Sequence, residues 1–204
     1  MNPRPNHADA IDASAAKGKR IIVGVTGGIA AYKTCTLVSR LAQAGAEVRV
    51  LMTPAATHFV TPLTFQALSG APVYTSAWEH VESSDPQHVS LARAAHLGIV
   101  APCSMDCLAR LAGGHTDDVV SLVLSAVDLS ATPVLLAPSM NEAMWKQPST
   151  QRNLRQLRED GYVLLEPGQG WQACRTVGIG RMPEADDLLA AVLHTLQFGR
   201  PARA

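Results

Sequence analysis

Aromatic residues are scarce in this chain. Three Trp, three Tyr and three Phe among 204 residues leave Ala, Val, Leu and Ile to fill the core. Charge of one sign is also missing: 17 basic residues balance 17 acidic ones, which excludes the basic footprint of a nucleic-acid binder. No apolar run is long enough to cross a membrane, and the N-terminal stretch has no apolar segment of the kind a secretory signal needs. A cytoplasmic protein is therefore expected. The four cysteines, Cys35, Cys103, Cys107 and Cys174, lack the spacing of a zinc site, so no metal is expected. In such a compartment disulfides are not expected, and most thiols should be buried small hydrophobes.

What is present is a regular alternation. With 47% hydrophobic and 17% charged residues, the composition is globular and sufficient for one sizeable core. Continuous apolar runs at Arg20–Val25, Glu47–Met52, His96–Pro102, Pro133–Pro138 and Tyr162–Leu165 read as buried parallel strands. Between and after them, helices are predicted over Ile29–Ala44, Thr61–Ser69, Ser104–Leu111, Asp117–Val127, Ser149–Asp160 and Pro183–Phe198. The pattern predicts an α/β fold, a doubly wound parallel sheet in a single domain. Residues 1–18 are expected to be a disordered extension, 19–198 the domain, and 199–204 a frayed tail.

In such sheets ligands sit beyond the carboxyl ends of the strands. The first strand runs into Thr26-Gly27-Gly28-Ile29-Ala30-Ala31-Tyr32-Lys33. This is either a plain tight turn or a glycine cradle that brings helix N–H groups to a phosphate. The second ends in Met52-Thr53-Pro54, a hydroxyl where a dinucleotide site carries an acidic residue. That favours a mononucleotide, although Thr53 is equally an N-cap. The third leads to Cys103-Ser104-Met105-Asp106-Cys107, caps or ligand contacts. The fourth leads to Ser139-Met140-Asn141 and on to Met144-Trp145, where Asn141 suits a turn as well as a carboxylate. His88 precedes Val89-Ser90-Leu91, read as a short alternating strand. Trp171 to Glu184 is rich in glycine and predicts a mobile loop, with the thiol of Cys174 beside Arg175.

These segments, in this order, resemble the homo-oligomeric flavin-containing cysteine decarboxylases, over roughly Lys19 to His194. The resemblance implies a Rossmann-like flavoprotein that binds FMN through Gly27, Gly28, Ile29, Thr53, Ser104, Met105, Asp106, Cys107 and Ser139. It implies substrate contacts at Asn141, Met144 and Ala173, and catalytic roles for His88 and Cys174. The activity implied is decarboxylation of 4′-phosphopantothenoylcysteine to 4′-phosphopantetheine in coenzyme A biosynthesis, through a thioaldehyde and an enethiolate. The partner is then a small phosphorylated cysteine amide, not a nucleic acid or a membrane. A homotrimer or trimer-based assembly with the site at a subunit interface is implied as well.

The chain departs from the family's pattern in two places. Met105 stands where Ala is usual, and Arg175-Thr176 follows Cys174 where the family has Gly-Asp. The second departure keeps another activity open, oxidative decarboxylation of a peptide's C-terminal cysteine, which shares the flavin site, the His and the Asn but needs no final reduction. A flavin prenyltransferase would need neither Asn141 nor Cys174. A non-catalytic regulatory relative would carry a long acidic tail.

Overall fold

The computed structural model describes residues 12–79 and 86–200. The chain runs β1 (Arg20–Val25), α1 (Ala31–Gln43), β2 (Glu47–Met52), α2 (Pro62–Ser69), β3 (Val73–Tyr74), α3 (Gln87–Ala94), β4 (Leu97–Cys103), α4 (Met105–Gly113), α5 (Val119–Ser125), β5 (Val134–Pro138), α6 (Glu142–Trp145), α7 (Pro148–Asp160), β6 (Val163–Leu164), β7 (Gly168–Trp171), β8 (Val177–Arg181) and α8 (Ala185–Phe198). The first six strands form one parallel sheet in the order β3-β2-β1-β4-β5-β6. The order reverses between β1 and β4, the switch point at which open α/β sheets bind ligands.

Strand periodicity splits the core in two. Ile21, Val23, Val25, Val50 and Ile99 point to a face covered by Leu37 and Leu41 of α1, Phe65 of α2 and Leu188 and Val192 of α8. Ile22, Leu51, Val100 and Leu136 point to the other face, against Leu91 of α3, Leu108 of α4, Val120 and Leu124 of α5 and Leu154 and Leu157 of α7. Both faces are covered, which is why β1 and β4 read as unbroken apolar runs rather than alternating ones. Each fully buried Leu or Ile stabilises the fold by about 1.5–3 kcal/mol before cavity effects.

Three expectations need correction. The segment around His88 is not a strand but α3, eight residues of helix entered at Pro86. Its buried positions, Gln87, Leu91 and Ala92, follow helical spacing, which five residues were too few to reveal. The glycine-rich segment after Trp171 is not a loose loop: β7 and β8 pair as an antiparallel hairpin, Trp171 opposite Val177. The two-residue β3 was not anticipated. Residues 12–18 are folded: Asp12 caps a 3₁₀ turn over Ala13–Ala16 by accepting the Ser14 N–H (2.8 Å), Ala16 is fully buried, and the Gly18 N–H reaches the Gly45 carbonyl (2.9 Å). That turn packs on α8, and the Asp12 N–H donates to Gln197 Oε1 (3.2 Å). At the other end, Arg200 donates to the carbonyls of Gly161 and Thr132. The remainder of the expected extension (1–11) and tail (201–204) lies outside the described residues.

Candidate functional site

A cavity of about 530 Å³ opens at the carboxyl ends of β1, β4 and β5 and is closed on one side by the hairpin. Buried hydroxyls tie together the elements that frame it. Thr26, almost fully buried, donates through Oγ1 to the Pro102 carbonyl (2.7 Å) and accepts the Ser104 N–H (2.9 Å). Thr34, on the first turn of α1, donates to the Ala101 carbonyl (2.6 Å). These bonds fix the starts of α1 and α4 to the ends of β1 and β4. Ser104 then caps α4 by accepting the Cys107 N–H (3.2 Å).

The turn from β1 into α1 has no side-chain cap. The N–H groups of Gly27, Gly28 and Ile29 have no hydrogen-bond acceptor among the described residues. Gly27 is required by packing, since a Cβ there would lie 2.6 Å from the Ala55 Cβ, while one on Gly28 would meet nothing nearer than 3.9 Å. The result is a glycine cradle with open donors at a helix N-terminus, the arrangement that accepts an anion.

Across the cavity, Ser139 donates its N–H to the Cys103 carbonyl (3.0 Å) and Met140 donates to the Gly180 carbonyl (3.0 Å), docking β8 onto the end of β5. Asn141 caps α6, its Oδ1 accepting the Met144 N–H (2.9 Å). With Oδ1 so engaged, its NH₂ is the group left to meet a ligand. Cys174 sits at the exposed tip of the hairpin, with Thr176 Oγ1 3.0 Å and Gln172 Oε1 3.6 Å from its sulfur.

Gly27, Gly28, Ile29, Ser104, Met105, Ser139, Asn141, Met144, Ala173 and Cys174 therefore line one cavity. Four other candidates do not. Thr53 is buried and accepts the Ala56 N–H (3.3 Å). Asp106 is exposed and ion-paired to Arg110 (2.7 Å), and Cys107 is packed in the core. His88, on α3, does not line the cavity of its own chain. Burial, then its hydrogen bond to Cys107, pushes the Cys103 thiol well up, so this pair behaves as core.

Sequence reasoning also missed lining residues. Lys33 and Arg181 both reach Glu184, at 2.6 and 3.2 Å. The hydrogen bond from Lys33 holds the Glu184 carboxyl below the usual carboxylate range, with Arg181 adding to it. This cluster ties α1, β8 and the start of α8 together. The basic residue one turn into α1 was the available signal. Gln172 is a buried polar residue that nothing in the sequence marks. Among the described residues no cluster of His, Cys, Asp and Glu could hold a metal ion, and no helix is long and apolar enough to cross a membrane.

An open parallel sheet with a ligand cavity at its switch point, a glycine cradle and no acidic residue closing β2 defines a Rossmann-like binder of mononucleotide type. Residues 10–197 match the flavoprotein family model, and the chain belongs to that family. The chain is 46% identical over 175 residues to the coenzyme A biosynthesis bifunctional protein CoaBC of Haemophilus influenzae, covering 86% of this chain and 43% of that protein. The Escherichia coli K12 protein of the same description is 45% identical over 165 residues, covering 81% and 40%. The chain thus spans less than half the length of these curated relatives. Among solved structures, a cysteine-to-serine mutant of a PPC decarboxylase complexed with pantothenoylaminoethenethiol superposes with a TM-score of 0.77 at 31% identity, covering 86% of this chain and 97% of that one. The FMN-dependent cysteine decarboxylase SpaF superposes with a TM-score of 0.76 at 28% identity, covering 90% and 99%.

Proposed function

We propose that this chain is an FMN-dependent decarboxylase that converts 4′-phosphopantothenoylcysteine to 4′-phosphopantetheine in coenzyme A biosynthesis, in the cytoplasm. The observation that carries the reading is one cavity holding a glycine cradle, the capping Asn141 and the exposed thiol of Cys174. The relatives support it by their names.

The residues present fit FMN. The acceptor-free amides of Gly27, Gly28 and Ile29 suit its phosphate, and Ser104, Met105 and Ser139 would hold the remainder. When bound, FMN supplies the electron sink that an amidated cysteine lacks, taking two electrons from the substrate and returning them at the end of the cycle. The protein's own tasks are positioning and proton handling. Asn141 offers its NH₂ to the substrate carboxylate or amide, beside Met144 and Ala173. Once carbon dioxide has left, the substrate is an enethiolate, and Cys174 gives its proton to the enethiolate carbon.

His88 supports the thiol chemistry by acid–base or electrostatic means. Because it does not line its own chain's cavity, a neighbouring copy in a homotrimer or trimer-based assembly supplies it. Co-expression of His88→Asn with Cys174→Ser tests this. Neither variant alone makes 4′-phosphopantetheine, and the mixed oligomer recovers a fraction of wild-type 4′-phosphopantetheine formation. No recovery means that His88 acts within its own chain or not at all.

The deciding experiment is mass spectrometry of the products formed from 4′-phosphopantothenoylcysteine by the FMN-loaded protein and by Cys174→Ser. The wild type yields 4′-phosphopantetheine and the variant only the oxidised enethiol. No turnover by folded, flavin-bound wild type overturns the reading. One observation favours a second one: Arg175 holds φ = +64° where the family has glycine. Turnover of peptides ending in cysteine, in place of the small substrate, would establish it.

A further inference from the structure

The hairpin tip carries more than a thiol. Gln172 is buried, and its amide is orientated by two backbone contacts. Nε2 donates to the Ile179 carbonyl (2.8 Å), so Oε1 is the accepting atom and takes the Glu142 N–H (3.3 Å). Oε1 also accepts the Cys174 S–H (3.6 Å). With the thiol hydrogen spent on Gln172, the contact at 3.0 Å between Sγ and Thr176 Oγ1 has one consistent sense: the hydroxyl donates and the sulfur accepts. A carboxylate at this position could only accept, so the hydroxyl is what makes the pairing possible.

We infer that Thr176 and Gln172 are positioning residues for Cys174, joined to it through a threonine-to-thiol hydrogen bond. The inference rests on the function proposed above. In the proton-transfer step the Cys174 S–H bond breaks, the proton bonds to the enethiolate carbon, and the electron pair stays on Sγ. An O–H donor already aimed at the sulfur stabilises that charge as it forms. Gln172 holds the hydrogen until substrate arrives. The exposed tip lets water restore the thiol afterwards.

The test reads the thiol itself. Full-length, flavin-loaded protein is alkylated with iodoacetamide at one fixed pH, and modification of the Cys174 peptide is followed by mass spectrometry. Loss of one hydrogen bond to the reacting sulfur should slow Thr176→Val and Thr176→Ala about five-fold, while Thr176→Ser stays within about two-fold of wild type, the spread expected of a retained hydroxyl. Running Val beside Ala separates loss of the hydroxyl from any effect of side-chain shape on the turn. Val or Ala reacting as fast as wild type, or Ser as slowly as Val, overturns the inference. With 4′-phosphopantothenoylcysteine, Val should release a larger share of oxidised enethiol than wild type and Ser should not. An unchanged share overturns the role in proton transfer. Wild type that leaves this substrate untouched refutes the proposed function instead, and the alkylation rates still decide the pairing.

Discussion

The two sides of the cavity use the same residue types to opposite ends. On the sheet side, Thr26 and Thr34 are buried and their hydroxyls are consumed by backbone carbonyls at 2.7 and 2.6 Å. On the hairpin side, Thr176 is exposed and its hydroxyl meets a thiol. The cysteines divide likewise: Cys103, at the end of β4, and Cys107, on α4, are buried, whereas Cys174 is open to solvent. Burial, not residue type, decides which groups build the scaffold and which remain available for chemistry. The sheet side is therefore expected to hold the cofactor and the hairpin to act on the substrate.

Substitutions that separate the two sides test that division. The largest effect is expected at Gly180, where φ is +123° and a Cβ would lie 2.2 Å from the Met140 carbonyl oxygen. Gly180→Ala combines backbone strain with a main-chain clash, roughly 3 kcal/mol against the docked hairpin. It should cut turnover more than ten-fold, while flavin absorbance of the purified protein is retained. Lost flavin would mean that the hairpin also holds the cofactor. Gly27→Ala meets only the Ala55 side chain at 2.6 Å and its backbone at 3.3 Å, a strain of about 2 kcal/mol. Its signature should be the reverse, weakened flavin retention measured by equilibrium dialysis.

The smallest effect at neutral pH is expected at Tyr162, on the sheet side. Burial, with smaller contributions from Cys107, Asp160 and Cys103, pushes its hydroxyl up to about 12. The folded protein then keeps a proton that the unfolded chain gives up near pH 10. Stability should be unaffected below pH 10 and fall by about 1.4 kcal/mol per pH unit between pH 10 and about 12. Tyr162→Phe should flatten that slope in denaturant titrations while leaving turnover at neutral pH unchanged. An equal slope in both proteins would show that the Tyr162 hydroxyl is solvated.

The sheet was legible because its strands are buried on both faces, so Arg20–Val25 and Leu97–Cys103 announce themselves as unbroken apolar runs. β3 was not, since two residues carry no period. The His88 segment was misread because strand and helix spacings agree over so short a window, and its helix is fixed by packing of Leu91 and Ala92 on the sheet. The hairpin was misread because its glycines suggested freedom. In the fold they serve close approach instead: Gly178 lies against Glu142 and Gly180 against Met140. For the same reason the cavity's strand-end residues could be named from their place after strands. Gln172 and Arg181 could not, because their position depends on how the hairpin docks.

The 3₁₀ turn at Ala13–Ala16, resting on α8 with the Asp12 N–H bonded to Gln197, brings the two ends of the described chain side by side. Both lie at the amino ends of the strands, across the sheet from the cavity. The chain thus leaves the described fold at Asp12 and Arg200 on the end away from the cavity. A short linker joining the two ends, with new termini opened elsewhere, should give a permuted chain that keeps the same cavity.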